Sequence, residues 1–123
     1  MFIALSPSNP DPMYKQVTDQ IKNAIASGDL KAGDKLPSIR ELTDALKTSA
    51  ITVKRAYLDL ESEGFIITRA GLGSFVADID KDRLKEEKLA EFRTLLQGIL
   101  ATGAKFGIGA GDVVRLIREI EEE

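Results

Sequence analysis

The chain contains neither cysteine nor histidine. Without cysteine, it can form no disulfide framework and offers no thiolate nucleophile. A zinc ion would have to be held by carboxylates alone, which is an unusual ligand set. We therefore expect no metal site and no cofactor, and the enzymes that depend on a catalytic cysteine or histidine are excluded.

Long apolar runs and phosphate-binding glycine motifs are also missing. No run approaches the roughly 20 residues of a membrane-spanning helix, and the N-terminus lacks the basic region of a secretory signal. There is no GxxxxGK sequence and no GxGxxG sequence that opens a helix, so we expect no enzyme activity. With 123 residues, 43% hydrophobic and 30% charged, the composition is that of a soluble globular protein, which we place in the cytoplasm without a membrane partner.

An excess of positive charge is absent too, because the formal net charge is −3. Nucleic-acid-binding domains are often strongly basic, so a DNA-binding prediction must depend on a local patch. Residues 45–58 provide one: they include Lys47, Lys54 and Arg55 and no acidic residue.

Helix signals define the beginning of the chain. Asp11 can cap a helix and Pro12 is favoured at its first position, so a first helix is expected to start there. Gly28 is a typical C-terminal residue and should end it. Residues 29–35, which include a second glycine, are expected to form a turn.

A helix-turn-helix is predicted next. Ser38 and Glu41 have the spacing of a capping box and should begin a second helix that ends near Leu46. Ser49 is the expected N-cap of a third helix that reaches about Glu63. A connection of three or four residues between two helices is typical of this motif. The buried side of the third helix should contain Val53, Ala56, Tyr57 and Leu60.

A β-hairpin should follow the three helices. Residues 65–69 and 74–77 are β-prone and flank a glycine-containing turn. Such a turn requires a positive φ at Gly71 or Gly73. Three helices and a hairpin form a winged helix-turn-helix, so we expect a mainly α fold with a small β wing in residues 1–78.

Residues 79–123 differ in character and predict a helical tail. A charged segment leads into a helix with an apolar stripe, glycines around Phe106 interrupt it, and Asp112 is expected to cap a last helix. Two helices cannot bury such a stripe alone, so a two-fold homodimer is expected. The predicted dimerisation residues are Leu89, Phe92, Leu96, Ile99, Phe106, Leu116 and Ile120.

The motifs of residues 12–76 resemble those of one known family. They read P-x-Y-x-Q-V from Pro12, I-x-x-G-x-L-x-x-G-x-x-L-P-S-x-R-E-L from Ile25, T-V-K-R-A-Y-x-x-L-E-x-E-G-F-I from Thr52, and G-x-G-S-F-V from Gly71. This pattern resembles the GntR family of bacterial regulators. The short tail is similar to that of the YtrA-like subgroup, whose members carry only about two helices after the DNA-binding domain.

The resemblance implies that the second and third helices contact DNA and that the wing lies at the adjacent minor groove. Arg40 matches an arginine that contacts phosphates or bases, and Gly71 or Gly73 matches the wing tip. In the third helix, the matching contact positions are Ser49, Thr52 and Lys54. Many members have an arginine where this chain has Ala50, so the operators of those members cannot be transferred to it.

The residues themselves leave alternatives open. Ile51 either touches a thymine methyl group or packs against another part of the protein. Ser49 acts as a helix cap or contacts DNA, and Arg40 contacts DNA or pairs with Asp44. Lys54 shares a helix face with Ile51 and is preferred over Arg55 as a DNA contact, and Arg69 beside the turn is a further candidate.

Together these features predict a transcription regulator, acting as a repressor, that binds a two-fold symmetric operator in double-stranded DNA as a homodimer. The alternative is a winged-helix module that binds proteins and has no operator, which the net charge of −3 keeps open. The tail is too small for a typical metabolite pocket, so a small-molecule effector, which the sequence does not identify, would need a cleft between the tail helices and the winged helix.

Overall fold

The computed structural model describes residues 3–123. The chain divides into two compact units, the first ending at Lys81 and the second covering Asp82–Glu123. Within the described residues the fold is mainly helical with one hairpin, as predicted. In chain order the elements are α1 (Met13–Ser27), α2 (Ile39–Leu46), α3 (Ala50–Ser62), β1 (Ile66–Arg69), β2 (Gly73–Val76), α4 (Lys81–Ala104) and α5 (Ala110–Glu121).

The first helix, α1, begins after Pro12, which occupies the N-cap position. The Pro12 carbonyl oxygen accepts hydrogen bonds from the amides of Lys15 and Gln16, at 3.0 and 3.1 Å. The expectation that Asp11 caps this helix is wrong, because no side chain caps its start. The predicted end is confirmed, since Gly28 closes α1 with a φ of 87°.

The capping box that starts α2 is present. The Glu41 amide donates to Ser38 Oγ at 3.0 Å, and the Ser38 amide donates to Glu41 Oε1 at 3.3 Å. Lys47 ends the helix in the left-handed conformation, with a φ of 53°. Residues 47–49 then connect α2 to α3, so the predicted helix-turn-helix forms with the expected short connection.

One side of α3 is buried in the core of the first unit. The four predicted side chains of α3 are 0–4% exposed, and α3 packs against α1, α2 and β1. The Tyr57 hydroxyl donates a 2.6 Å hydrogen bond to the Pro37 carbonyl oxygen just before α2. Burial raises the pKa of Tyr57 well above its usual value, and the nearby Glu41 carboxylate raises it further. Tyr57 therefore stays a neutral donor that ties α3 to the start of α2.

The hairpin is antiparallel and runs from the pair Ile66–Val76 to the pair Arg69–Gly73. Its second strand also pairs on the other side, because Lys35 forms a bridge with Phe75. The Leu36 amide donates to the Ser74 carbonyl oxygen at 2.9 Å. The prediction of a plain turn over residues 29–35 missed this pairing, since the short polar run carries no strand alternation.

The second unit contains α5 and most of α4. The helices are broken over residues 105–109, as the glycines around Phe106 predicted, although Gly103 and Gly111 lie inside helices. Asp112 is not the N-cap of α5, because Gly109 is. Asp112 lies in the first turn, where its Oδ2 accepts a 3.0 Å hydrogen bond from the Gly109 amide. The capping carboxylate therefore acts from within the helix, which begins earlier than predicted.

Candidate nucleic-acid interface

The first turn of α3 is the centre of the candidate interface. Ser49 Oγ accepts a 3.1 Å hydrogen bond from the Thr52 amide and lies 2.8 Å from Thr52 Oγ1. Both hydroxyl groups are thus engaged with each other at the helix start. Of the two interpretations of Ser49, the structure shows the cap directly, and a contact with DNA stays a prediction.

The side of α3 opposite the core exposes Ile51 and Lys54. Ile51 is 81% exposed, so the interpretation that it packs within the first unit is wrong. A β-branched apolar side chain at the tip of a helix and open to solvent is available to an external partner. Lys54 lies one turn further along the same face, as the spacing predicted.

Arg40 is exposed in the first turn of α2. The alternative that it pairs with Asp44 does not hold in the described part of the chain, where no ion pair joins the two side chains. Its guanidinium group is therefore not engaged by that acid and can meet a phosphate or a base.

Arg55 has a structural partner that the sequence did not reveal. Its guanidinium carbon lies 3.7 Å from the centroid of the Tyr14 ring, in α1. A cation over an aromatic face is attracted by the ring quadrupole. This contact holds Arg55 at the junction of α1 and α3, and it supports the earlier preference for Lys54 as the DNA contact.

The wing brings three of the predicted residues together. Arg69 pairs with Gly73 across the hairpin, and its guanidinium carbon lies 6.0 Å from the centroid of the Phe75 ring. Both Gly71 and Gly73 have positive φ, 75° and 118°, so the turn requires each of them. The exposed segment between the strands can approach a DNA backbone closely because no side chains stand at these two positions.

Lys35 is a basic residue of the wing that the sequence analysis missed. Its Cε lies 3.0 Å from the place where a Cβ of Gly73 would stand. The sequence predicts a turn at Lys35, and only its pairing with β2 brings it to the hairpin. The sequence signal for Lys35 is its position: it directly precedes the Leu36-Pro37-Ser38 sequence that leads into α2.

The second unit exposes the apolar stripes of its helices. The seven predicted dimerisation side chains are all exposed, by 42–76%. No side chain of α5 is buried, and Gly103 is the buried residue of α4. The unit on its own therefore leaves both stripes without a covering layer.

Residues 3–123 offer neither a metal site nor a membrane span. No three His, Cys, Asp or Glu residues there stand close enough to hold a metal ion. In the same part of the chain, no helix is long and apolar enough to cross a bilayer.

A helix-turn-helix followed by a two-stranded wing, with the first turn of its second helix exposed, defines a winged-helix DNA-binding protein. Residues 13–76 match the family described as bacterial regulatory proteins, gntR family. The chain belongs to the GntR family. This membership confirms the predicted resemblance and the prediction that the chain is a DNA-binding transcription regulator and not an enzyme.

Individual relatives agree with the family match. The chain is 32% identical over 121 residues to the HTH-type transcriptional repressor YtrA of Bacillus subtilis (strain 168), over 98% of this chain and 93% of that protein. A GntR family transcriptional regulator from Listeria monocytogenes has a similar structure, with a TM-score of 0.75 and 30% identity over 94% of this chain and 98% of that one. The DNA-binding domain of AraR, solved in complex with operator ORX1, is 32% identical with a TM-score of 0.54, over 63% of this chain and 94% of that one.

Proposed function

We propose that this chain is a cytoplasmic repressor that binds a two-fold symmetric operator in double-stranded DNA as a homodimer. One observation carries the proposal: α3 buries one side completely while it exposes its first turn, with Ile51 81% in solvent. The N-terminal residues of a recognition helix are those that reach base edges in the major groove. The AraR domain, which is similar to this chain, is solved on an operator.

The proposed DNA contacts form three groups. The first turn of α3 enters the major groove, where Lys54 meets a phosphate or a base edge. Arg40 of α2 contacts the backbone beside it, and Arg69 and the wing turn lie at the adjacent minor groove. The residues assigned to DNA are Arg40, Ser49, Ile51, Thr52, Lys54, Arg69, Gly71 and Gly73.

The homodimer is proposed from the exposed stripes of the second unit. An apolar surface of this extent is unusual on a monomer and marks a contact with another molecule. A second copy of the chain offers the same stripes, and a two-fold interface is made of identical patches. Two copies related in this way present two recognition helices, which suits an operator of two inverted half-sites.

Repression is proposed from the similarity to YtrA, which is itself a repressor. A regulator of this kind represses when it occupies DNA that polymerase needs. The proposal therefore places the operator within or next to a promoter.

The test is selection of bound fragments from the source genome by the purified chain at about 150 mM salt, where nonspecific binding is weakened. The proposal expects a few enriched fragments that contain inverted half-sites near promoters. Light scattering of the same preparation should give twice the 13.4 kDa of one chain. Failure to enrich any sequence would contradict the operator, and a 13.4 kDa particle at micromolar concentration would contradict the dimer.

A further inference from the structure

The two hydroxyl groups in the first turn of α3 already form hydrogen bonds within the helix. Ser49 and Thr52 share a 2.8 Å hydrogen bond, and Ser49 Oγ also holds the Thr52 amide. The side chains left free between them are Ala50 and Ile51, and neither can donate or accept a hydrogen bond. The turn that should lie deepest in the major groove therefore presents mainly methyl groups.

Only one feature of the major groove matches an apolar side chain. Each base pair shows a pattern of donors and acceptors there, and thymine alone adds a methyl group at C5. Ile51 is 81% exposed, so contact with that methyl group would remove apolar surface of both partners from water. A base edge with a donor or acceptor facing Ile51 would lose its water and gain no hydrogen bond.

We propose that Ile51 contacts the C5 methyl group of a thymine in each half-site, so that operator recognition at this position depends on a methyl contact. This inference depends on the proposed function, since it assigns a base to the interface of that function. Ala50, the neighbour of Ile51, has no side-chain group that could read a guanine, so the base contact of this turn is the one made by Ile51.

The test combines removal of the methyl group with truncation of the side chain. A duplex enriched in the genomic selection is synthesised with deoxyuridine in place of one thymidine at a time, which deletes a methyl group and keeps base pairing. Affinity of the full chain for each duplex is measured by fluorescence anisotropy. We expect one position per half-site where the replacement weakens binding about fourfold, the effect of burying one methyl group.

Ile51→Ala should bind the unmodified duplex more weakly and show no further loss on the deoxyuridine duplex. Leu58→Ala is the matched control, because Leu58 is also exposed on α3, by 56%, but lies about 10 Å further from the helix start at 1.5 Å per residue. Leu58→Ala should keep the whole fourfold effect. The Ile51 side chain is exposed, so its truncation should leave the fold intact, which circular dichroism checks.

Two results would overturn the inference. Either deoxyuridine is tolerated at every thymine of the half-site, or Ile51→Ala loses affinity for the deoxyuridine duplex as strongly as the unaltered chain does. In both cases the enriched duplex is still bound, so the proposed function stands. Failure to enrich any duplex would instead contradict the proposed function, and the inference would fall with it.

Discussion

The guanidinium carbon of Arg55 lies 3.7 Å from the centroid of the Tyr14 ring and so stacks an α3 cation on an α1 aromatic side chain. Arg55 is the sequence neighbour of Lys54, and adjacent residues on a helix point about 100° apart. One cation therefore stabilises the packing of two helices, while the other is directed away from it. Two basic residues that look equivalent in the sequence have different partners in the structure.

This difference predicts separate effects of the two substitutions. Arg55→Ala should lower the free energy of unfolding by about 1 kcal/mol, because a cation–π contact and the packing of the arginine stem are lost. Urea unfolding at fixed protein concentration measures this loss of stability. Arg55→Lys is the control that keeps the charge and part of the stacking, and it should lose less. An unchanged stability of Arg55→Ala would show that the contact contributes nothing.

Lys54→Ala should act on DNA binding and leave stability almost unchanged. A lysine that neutralises a phosphate releases counterions, so its loss should make the dependence of log K on log salt shallower by about 0.9 per contact. Affinity for the selected duplex is measured between about 50 and 200 mM salt. Arg115→Ala, which removes one positive charge from the exposed surface of α5, is the matched control and should keep the slope. A Lys54→Ala slope equal to that of the control would place Lys54 away from the phosphates.

The helices could be predicted because their signals are local. Ser38 and Glu41 are three residues apart and cap one helix between them. The stripe of α3 repeats within a few turns, so its buried residues followed from spacing alone. The bridge between Lys35 and Phe75 joins segments 40 residues apart, and no local sequence pattern predicts such a pairing. For the same reason the sequence did not place Lys35 at the wing.

The candidate interface was predictable in part. Spacing put Lys54 and Ile51 on one face, and the turn put Gly71 and Gly73 at the wing tip. Whether Ile51 is packed or exposed depends on which neighbours the fold supplies, and only the structure answers that. The stack of Arg55 on Tyr14 likewise depends on how α1 crosses α3, which neither helix encodes by itself.

Lys47 provides a prediction on stability. In the described part of the chain, Lys47 is the one residue besides the glycines that has a positive φ, 53°. It ends α2. A left-handed conformation costs an L-residue roughly 1 kcal/mol. Lys47→Gly should therefore raise the free energy of unfolding by about 0.5–1 kcal/mol, although the greater freedom of glycine in the unfolded chain offsets part of the gain. Lys47→Ala keeps the strain and should not stabilise. Equal stability of the glycine and alanine variants in urea would contradict this account.

Tyr57 predicts a dependence of stability on alkaline pH. Burial raises the pKa of Tyr57 in the folded chain, so the folded state favours the neutral phenol. The stabilisation of the folded state by the neutral phenol is complete below about pH 10, the ordinary pKa of tyrosine in an unfolded chain. It is lost as the pH rises above that value. Tyr57→Phe should cost about 1 kcal/mol at neutral pH, because the hydrogen bond to Pro37 is lost. The stability difference between the two proteins should then narrow in urea unfolding above about pH 10. A difference that does not change with pH would contradict the role of the phenol.

Phe92 tests the proposed dimer face. It is 52% exposed on the apolar stripe of α4, and Phe92→Asp would place a charge inside an interface formed by that stripe. Burying an unpaired charge costs several kcal/mol, so the dimer dissociation constant should rise at least about 100-fold, as measured by sedimentation at several concentrations. Thr94→Asp adds the same charge about 200° around the helix and should leave the dimer intact. If both variants stay dimeric, a different surface joins the two copies. If both dissociate, an added charge on either side of α4 disrupts the dimer, and the apolar stripe is not specifically its interface.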